Sequence, residues 1–140
     1  MPTLFYALFV TRINRQTLDA ATTEVLLTTL GYTRSPAGGG SVSGTYECPS
    51  GYVWSRAAWS VGDGNRKSQH AYNSYISINT TDKDGNVTTI ANQARNTSGT
   101  IDLSNIASIG YTCYSWNDHA GNGYSQINVY AKSMTWDDEE

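Results

Sequence analysis

Two histidines, two cysteines and a scatter of carboxylates are what this chain offers for chemistry. His70 closes the polar run Gly62-Asp63-Gly64-Asn65-Arg66-Lys67-Ser68-Gln69-His70, and His119 lies in Asn117-Asp118-His119-Ala120-Gly121-Asn122-Gly123-Tyr124. Zinc needs three or four converging ligands, and neither a C-x-x-C nor an H-x-x-x-H pair is present, so the histidines read as solvated loop residues. No Gly-x-Ser-x-Gly elbow exists, and neither Cys48 nor Cys113 sits in a cationic setting that would favour its thiolate. Two carboxylates for glycoside hydrolysis would have to come from Glu24, Glu47, Asp63, Asp102 and Asp118, and a sequence does not give their separation. Asp82, Asp84 and Asn86 alternate like the first ligands of a calcium loop. However, Gly85 falls too early for such a loop and Gln93 stands where the bidentate Glu belongs. The better reading of Asp82–Asn86 is a tight turn between Ile76-Ser77-Ile78-Asn79 and Val87-Thr88-Thr89-Ile90. The expectation is a chain that is not an enzyme and carries no metal or other cofactor.

The composition points to contact. Sixty-six of the 140 residues are Ser, Thr, Asn, Tyr or Gly, against three Lys and four Glu. Such residues favour pleated structure over helix and recur on adaptable recognition surfaces. The net charge of −3 includes the terminal run Asp137-Asp138-Glu139-Glu140; the rest of the chain is near neutral, which leaves no basic footprint for nucleic acid. Three Asn-x-Ser/Thr acceptor patterns, at Asn79, Asn86 and Asn96, are what chance gives in a chain so rich in these residues. Cys48 and Cys113 both lie in strand-like segments and fit either one disulfide or two buried thiols.

Short alternating segments between turn signals organise most of the chain. Strands are expected over 43–48, 52–61, 71–80, 87–91, 100–103, 110–116 and 124–136, with turns eight to twelve residues apart, the cadence of a sandwich or barrel. The fold class that follows is all-β: an antiparallel, jelly-roll-like β-sandwich with an N-terminal arm or short helix. The first third is less regular. Leu4–Val10 is a continuous apolar run that needs cover on both faces; it is too short to span a bilayer and lacks the flanks of a Sec signal peptide. Thr17–Leu30 fits a helical face of Leu18, Val25, Leu26 and Leu30, yet its five threonines suit a strand equally. A short helix or turn near 17–23 followed by a strand is the preferred reading. Ser35-Pro36-Ala37-Gly38-Gly39-Gly40-Ser41 is either a loop inside the sandwich or a hinge. The expected organisation is therefore an N-terminal segment over 1–34 serving assembly, a hinge over 35–41, a sandwich over 42–136 and an acidic tail over 137–140.

Large aromatics occupy both parities of the strand that holds Tyr52, Trp54 and Trp59, so one set must look away from the core or against another chain. Sandwich cores also take up Tyr and Trp readily. Exposed rings together with the two polar loops would suit sugar hydroxyls. That makes Trp54, Asp63, Asn65, His70, Trp116, Asn117, Asp118, His119 and Tyr124 the ligand-binding candidates, and Phe5, Tyr6, Leu8 and Phe9 the assembly candidates.

The stretch Gly44-Thr45-Tyr46-Glu47-Cys48-Pro49-Ser50-Gly51-Tyr52-Val53-Trp54, a strand, a Pro-x-Gly turn and a strand, resembles the β-sandwich modules of tailed-bacteriophage and prophage virion proteins: tail fibres, baseplate parts and head-decoration proteins. Gly99-Thr100-Ile101-Asp102-Leu103 is similar in style, and the likeness runs loosely over 41–136. It implies a virion or extracellular protein that self-associates or joins other virion proteins, attaches through its N-terminal segment and contacts cell-surface glycans, without inserting into a membrane. A soluble sugar-binding lectin is the second expectation, and a small glycan-active enzyme the third.

Overall fold

The computed structural model describes residues 20–36, 38–63, 74–116 and 123–134. They form eight strands: β1 (Ala20–Tyr32), β2 (Gly40–Glu47), β3 (Tyr52–Gly62), β4 (Tyr75–Asp82), β5 (Val87–Ala94), β6 (Thr97–Asp102), β7 (Ile106–Ser115) and β8 (Tyr124–Met134). One antiparallel sheet has the order β1-β8-β3-β6 and the other β2-β7-β4-β5. Every connection except the β4–β5 hairpin crosses from one sheet to the other, which is the double Greek key of a jelly roll. Among the described residues there is no helix long and apolar enough to cross a membrane.

The strands form because apolar residues recur at every second position, and the sandwich buries that face. On β8, Ser125, Ile127, Val129 and Ala131 are buried while the residues between them are half-buried. Ile127, Val129 and Ala131 meet Ile76 and Ile78 of β4 and Ile109 and Cys113 of β7 in one core. Each fully buried Ile or Val contributes about 1.5–3 kcal/mol relative to exposure.

Register slips interrupt this alternation in several ladders, and two of them decide which side chains reach the core. Between Trp54 and Arg56 the β3–β8 register slips, so Ser55 is the extra residue and the parity of β3 changes. Trp54 below the slip and Ala57, Trp59 and Val61 above it are consequently all buried. Trp54, expected to offer its ring to a ligand, is a core residue at 5% exposure, and its Nε1 donates to the Ile106 carbonyl at 3.0 Å. The second slip lies between Leu26 and Thr28 of β1. It lets Leu27 pack on the core while Leu26 stays exposed.

The helical reading of 17–23 fails from Ala20 onward, where the chain is already strand; residues 17–19 lie outside the described residues. Pairing with β8 at Ala20 and from Glu24 to Tyr32 outweighs the weak 3.6-residue spacing of the leucines of β1. β1 is thus an edge strand of the sandwich, and the Gly-rich segment after it is a loop within the fold. That loop is pinned by Ser35 N donating to Gly123 O at 2.7 Å and Gly39 N donating to Pro36 O at 2.9 Å. Phe5, Tyr6, Leu8 and Phe9 lie outside the described residues.

Candidate functional site

The strand order brings the β1–β2, β3–β4, β5–β6 and β7–β8 connections to one end of the sandwich. Asp63 and Ser74 bound the β3–β4 loop, and Trp116 and Gly123 bound the β7–β8 loop. Asp63, 2% exposed, accepts from Ser74 N at 3.0 Å and Ser74 Oγ at 2.7 Å. Ser74 Oγ in turn accepts from Trp116 N at 2.9 Å. This buried chain ties the feet of the two loops together, so Asp63 is a structural anchor and not a solvent-facing ligand. Tyr124 pairs with Gly62 across the ladder and is half-buried, as is Trp116. Asn65, His70, Asn117, Asp118 and His119, the other ligand-binding candidates, lie outside the described residues.

The remaining described acids are largely engaged. Glu24 accepts from Ser55 Oγ and pairs with Arg56 at 3.0 Å, and the Ser55 hydroxyl followed by the Arg56 guanidinium holds its carboxyl below the ordinary value. Arg56 also lies 4.0 Å above the Tyr130 ring. Asp82 Oδ1 accepts from Asp84 N and Asn86 N, both at 2.9 Å, inside the hairpin. Those backbone donors, Asn86 foremost, lower its pKa. The carboxylate therefore serves the turn, as its sequence suggested, and the described residues hold no cluster of three metal-ligating side chains. Asp102 accepts from Ser104 N at 3.0 Å. Cys48 and Cys113 are free thiols; burial pushes both up, Cys113 to about 11.

A different surface gathers uncharged polar groups. On the outer face of the β2-β7-β4-β5 sheet, register stacks three rows: Ser41, Tyr114 and Tyr75; Ser43, Thr112 and Ser77; Thr45, Gly110 and Asn79. The last two rows line a shallow trough of about 430 Å³. Its floor exists because Gly110 has no side chain: a Cβ there would lie 2.6 Å from Asn79 Oδ1. Ser43 Oγ and Thr112 Oγ1 share a hydrogen bond of 2.9 Å, and Ser77 Oγ accepts from Gln93 N at 2.9 Å. One row away, Tyr75 and Tyr114 stack at 5.2 Å and 25°, with Arg95 5.4 Å from the Tyr75 ring.

Sequence reading missed this surface because its residues come from three strands far apart in the chain. The available signal was the run of small polar residues at alternate positions, Ser77 and Asn79 on β4 beside Gly110 and Thr112 on β7. In comparisons with known proteins the chain matches no family model, no curated protein and no solved structure.

Proposed function

We propose that the chain is a non-enzymatic adhesion or assembly module of a phage-like particle, a tail, fibre or capsid-decoration component. The observation that carries this reading is the division of labour among its polar residues. Four of the six described carboxylates, Glu24, Asp63, Asp82 and Asp102, are held by neighbouring side chains or turn amides, while Glu47 and Asp84 are exposed. The middle of the outer β2-β7-β4-β5 face presents hydroxyls, an amide and tyrosines instead. That is a surface for contact, displayed by a stiff sandwich. The particle setting is supported by the likeness of residues 44–54 and of the Lys-poor, Asn/Ser/Thr-rich body to virion sandwich modules. Two measurements on the full chain test the reading: light scattering across a wide concentration range, and binding of fluorescent protein to intact bacterial cells. Self-association or saturable cell binding is expected. A strict monomer that binds no cell surface overturns it.

The second reading, a soluble lectin, draws on the trough, which offers uncharged hydrogen-bonding groups beside a pair of aromatic rings.

A further inference from the structure

From the geometry of the outer β2-β7-β4-β5 face we infer that the trough is a binding site for a neutral, unbranched oligosaccharide, the contact chemistry through which the proposed adhesion module acts. The inference rests on that reading of the protein as a contact module.

Lining and ligand match in charge. Ser43, Thr45, Ser77, Asn79 and Thr112 supply hydroxyls and one amide around a glycine floor, and no ionisable side chain but Tyr111 lines the trough. Within the trough lining an anionic ligand would find no counter-charge and a cationic one no carboxylate; Arg95 stands at the tyrosine row, beside the Tyr75 ring. A ligand rich in hydroxyls, itself uncharged, finds donors and acceptors of its own kind.

Two of the lining groups are uncommitted. Asn79 is exposed, and its amide makes no hydrogen bond with another described residue; the Thr45 hydroxyl is in the same position. An amide can donate and accept at once, which suits a pair of vicinal hydroxyls. Asn79 is on β4, an interior strand, so its backbone is fixed by ladders on both sides. That limits the ordering cost of binding.

Size and aromatic placement point to an extended ligand. Successive rows on one face of a strand are about 7 Å apart, so the trough and the tyrosine row together span more than one sugar ring. Tyr114 has Tyr75 stacked on one side and, on the other, the small residue Ser41 as its ladder partner. The tyrosine pair thus borders the Ser43–Thr112–Ser77 row at one end of the trough, with the Tyr114 hydroxyl near Gly39, and gives an extended sugar chain an aromatic rim. Gly110 completes the case. Any side chain there would displace the Asn79 amide and fill the floor.

An array of neutral linear oligosaccharides (glucans, mannans, galactans and N-acetylhexosamine polymers) with sialylated and sulfated glycans as counter-set, followed by calorimetry on the best neutral ligand, tests the inference. The expectation is binding to at least one neutral oligosaccharide, weakened tenfold or more in Asn79→Ala and in Gly110→Ala. Both variants change an exposed face and should keep the parent's melting temperature within a few degrees. If Gly110→Ala misfolds, Asn79→Ala and Thr112→Val carry the test. Neutral binding that survives these variants and is lost in Asp118→Ala or His119→Ala overturns the trough but leaves the adhesion module standing, with its loops as the site. Binding confined to charged glycans, or to none, overturns the trough as well. In that case light scattering and cell binding decide separately whether the module reading survives.

Discussion

Gly31 and Gly51 hold nearly the same backbone conformation, φ +87° and φ +89°, in opposite surroundings. Nothing lies within 4 Å of a Cβ built on Gly51, in the β2–β3 turn. On Gly31, in β1, a Cβ would collide with the Ser125 carbonyl and approach Cys113 Sγ to 2.8 Å. Alanine at either position incurs the cost of a left-handed conformation, about 1–3 kcal/mol. Gly31→Ala adds overpacking against a backbone carbonyl in the β8 ladder that cannot step aside, a further ~1–3 kcal/mol. The sum, about 2–6 kcal/mol, is a large part of the 5–15 kcal/mol typical of a whole domain. At roughly 3–5 °C per kcal/mol for a chain of this size, it lowers Tm by about 6–30 °C. Urea titration and thermal melts of the two single variants measure the difference directly, since the conformational component is common to both. A double variant adding Cys113→Ala should recover only part of the loss, because it removes the sulfur and leaves the carbonyl. Equal losses at Gly31 and Gly51, or full rescue by Cys113→Ala, would refute the packing argument.

Two further outcomes concern buried groups. Ser74→Ala removes a donor to the Asp63 carboxylate and the acceptor of Trp116 N, and should cost about 2–3 kcal/mol by urea denaturation. Ser43→Ala, at a hydroxyl pair on the exposed face, should stay within ~0.5 kcal/mol. The Cys113 thiol, raised by burial from 9.0 to about 11, stays neutral in the folded chain at a pH where the unfolded chain ionises. Its contribution is complete below pH 9 and is lost as pH rises from there through about 11, amounting to ~2 kcal/mol. Stability between pH 8 and 10.5 should therefore fall less steeply in Cys113→Ala than in the parent or in Cys48→Ala; parallel slopes would contradict the assignment.

The all-β class and most strand positions were legible because a half-buried strand writes its period of two into the sequence, as Ile76-Ser77-Ile78 and Ile127-Asn128-Val129 do. The Asp82–Asn86 turn was legible for a local reason: its side-chain and backbone bonds close within five residues. What stayed hidden depends on distant partners. Ser55 is ordinary in sequence, yet as the extra residue of a bulge it turns Trp54 into the core and reverses the expected role of that ring. Residues 20–23 read as helix or strand until β8 supplies a ladder. Asp63 looks like a loop ligand until Ser74 and Trp116, eleven and fifty-three positions away, close a buried network on it.

The same physics separates the two surfaces on which recognition could be built. At the end of the sandwich, Trp116 N is held by a side chain, the Ser74 hydroxyl. A residue on the outer face of β4 or β7 is fixed by ladders on either side before any ligand arrives. Its neighbours sit at spacings set by the pleat and not by side-chain rotamers. Individually weak hydroxyl and amide contacts gain affinity when their positions cost nothing further to arrange. A fixed array of such contacts is what the proposed oligosaccharide site would use. The central strands of the β2-β7-β4-β5 sheet are where the jelly-roll order places one.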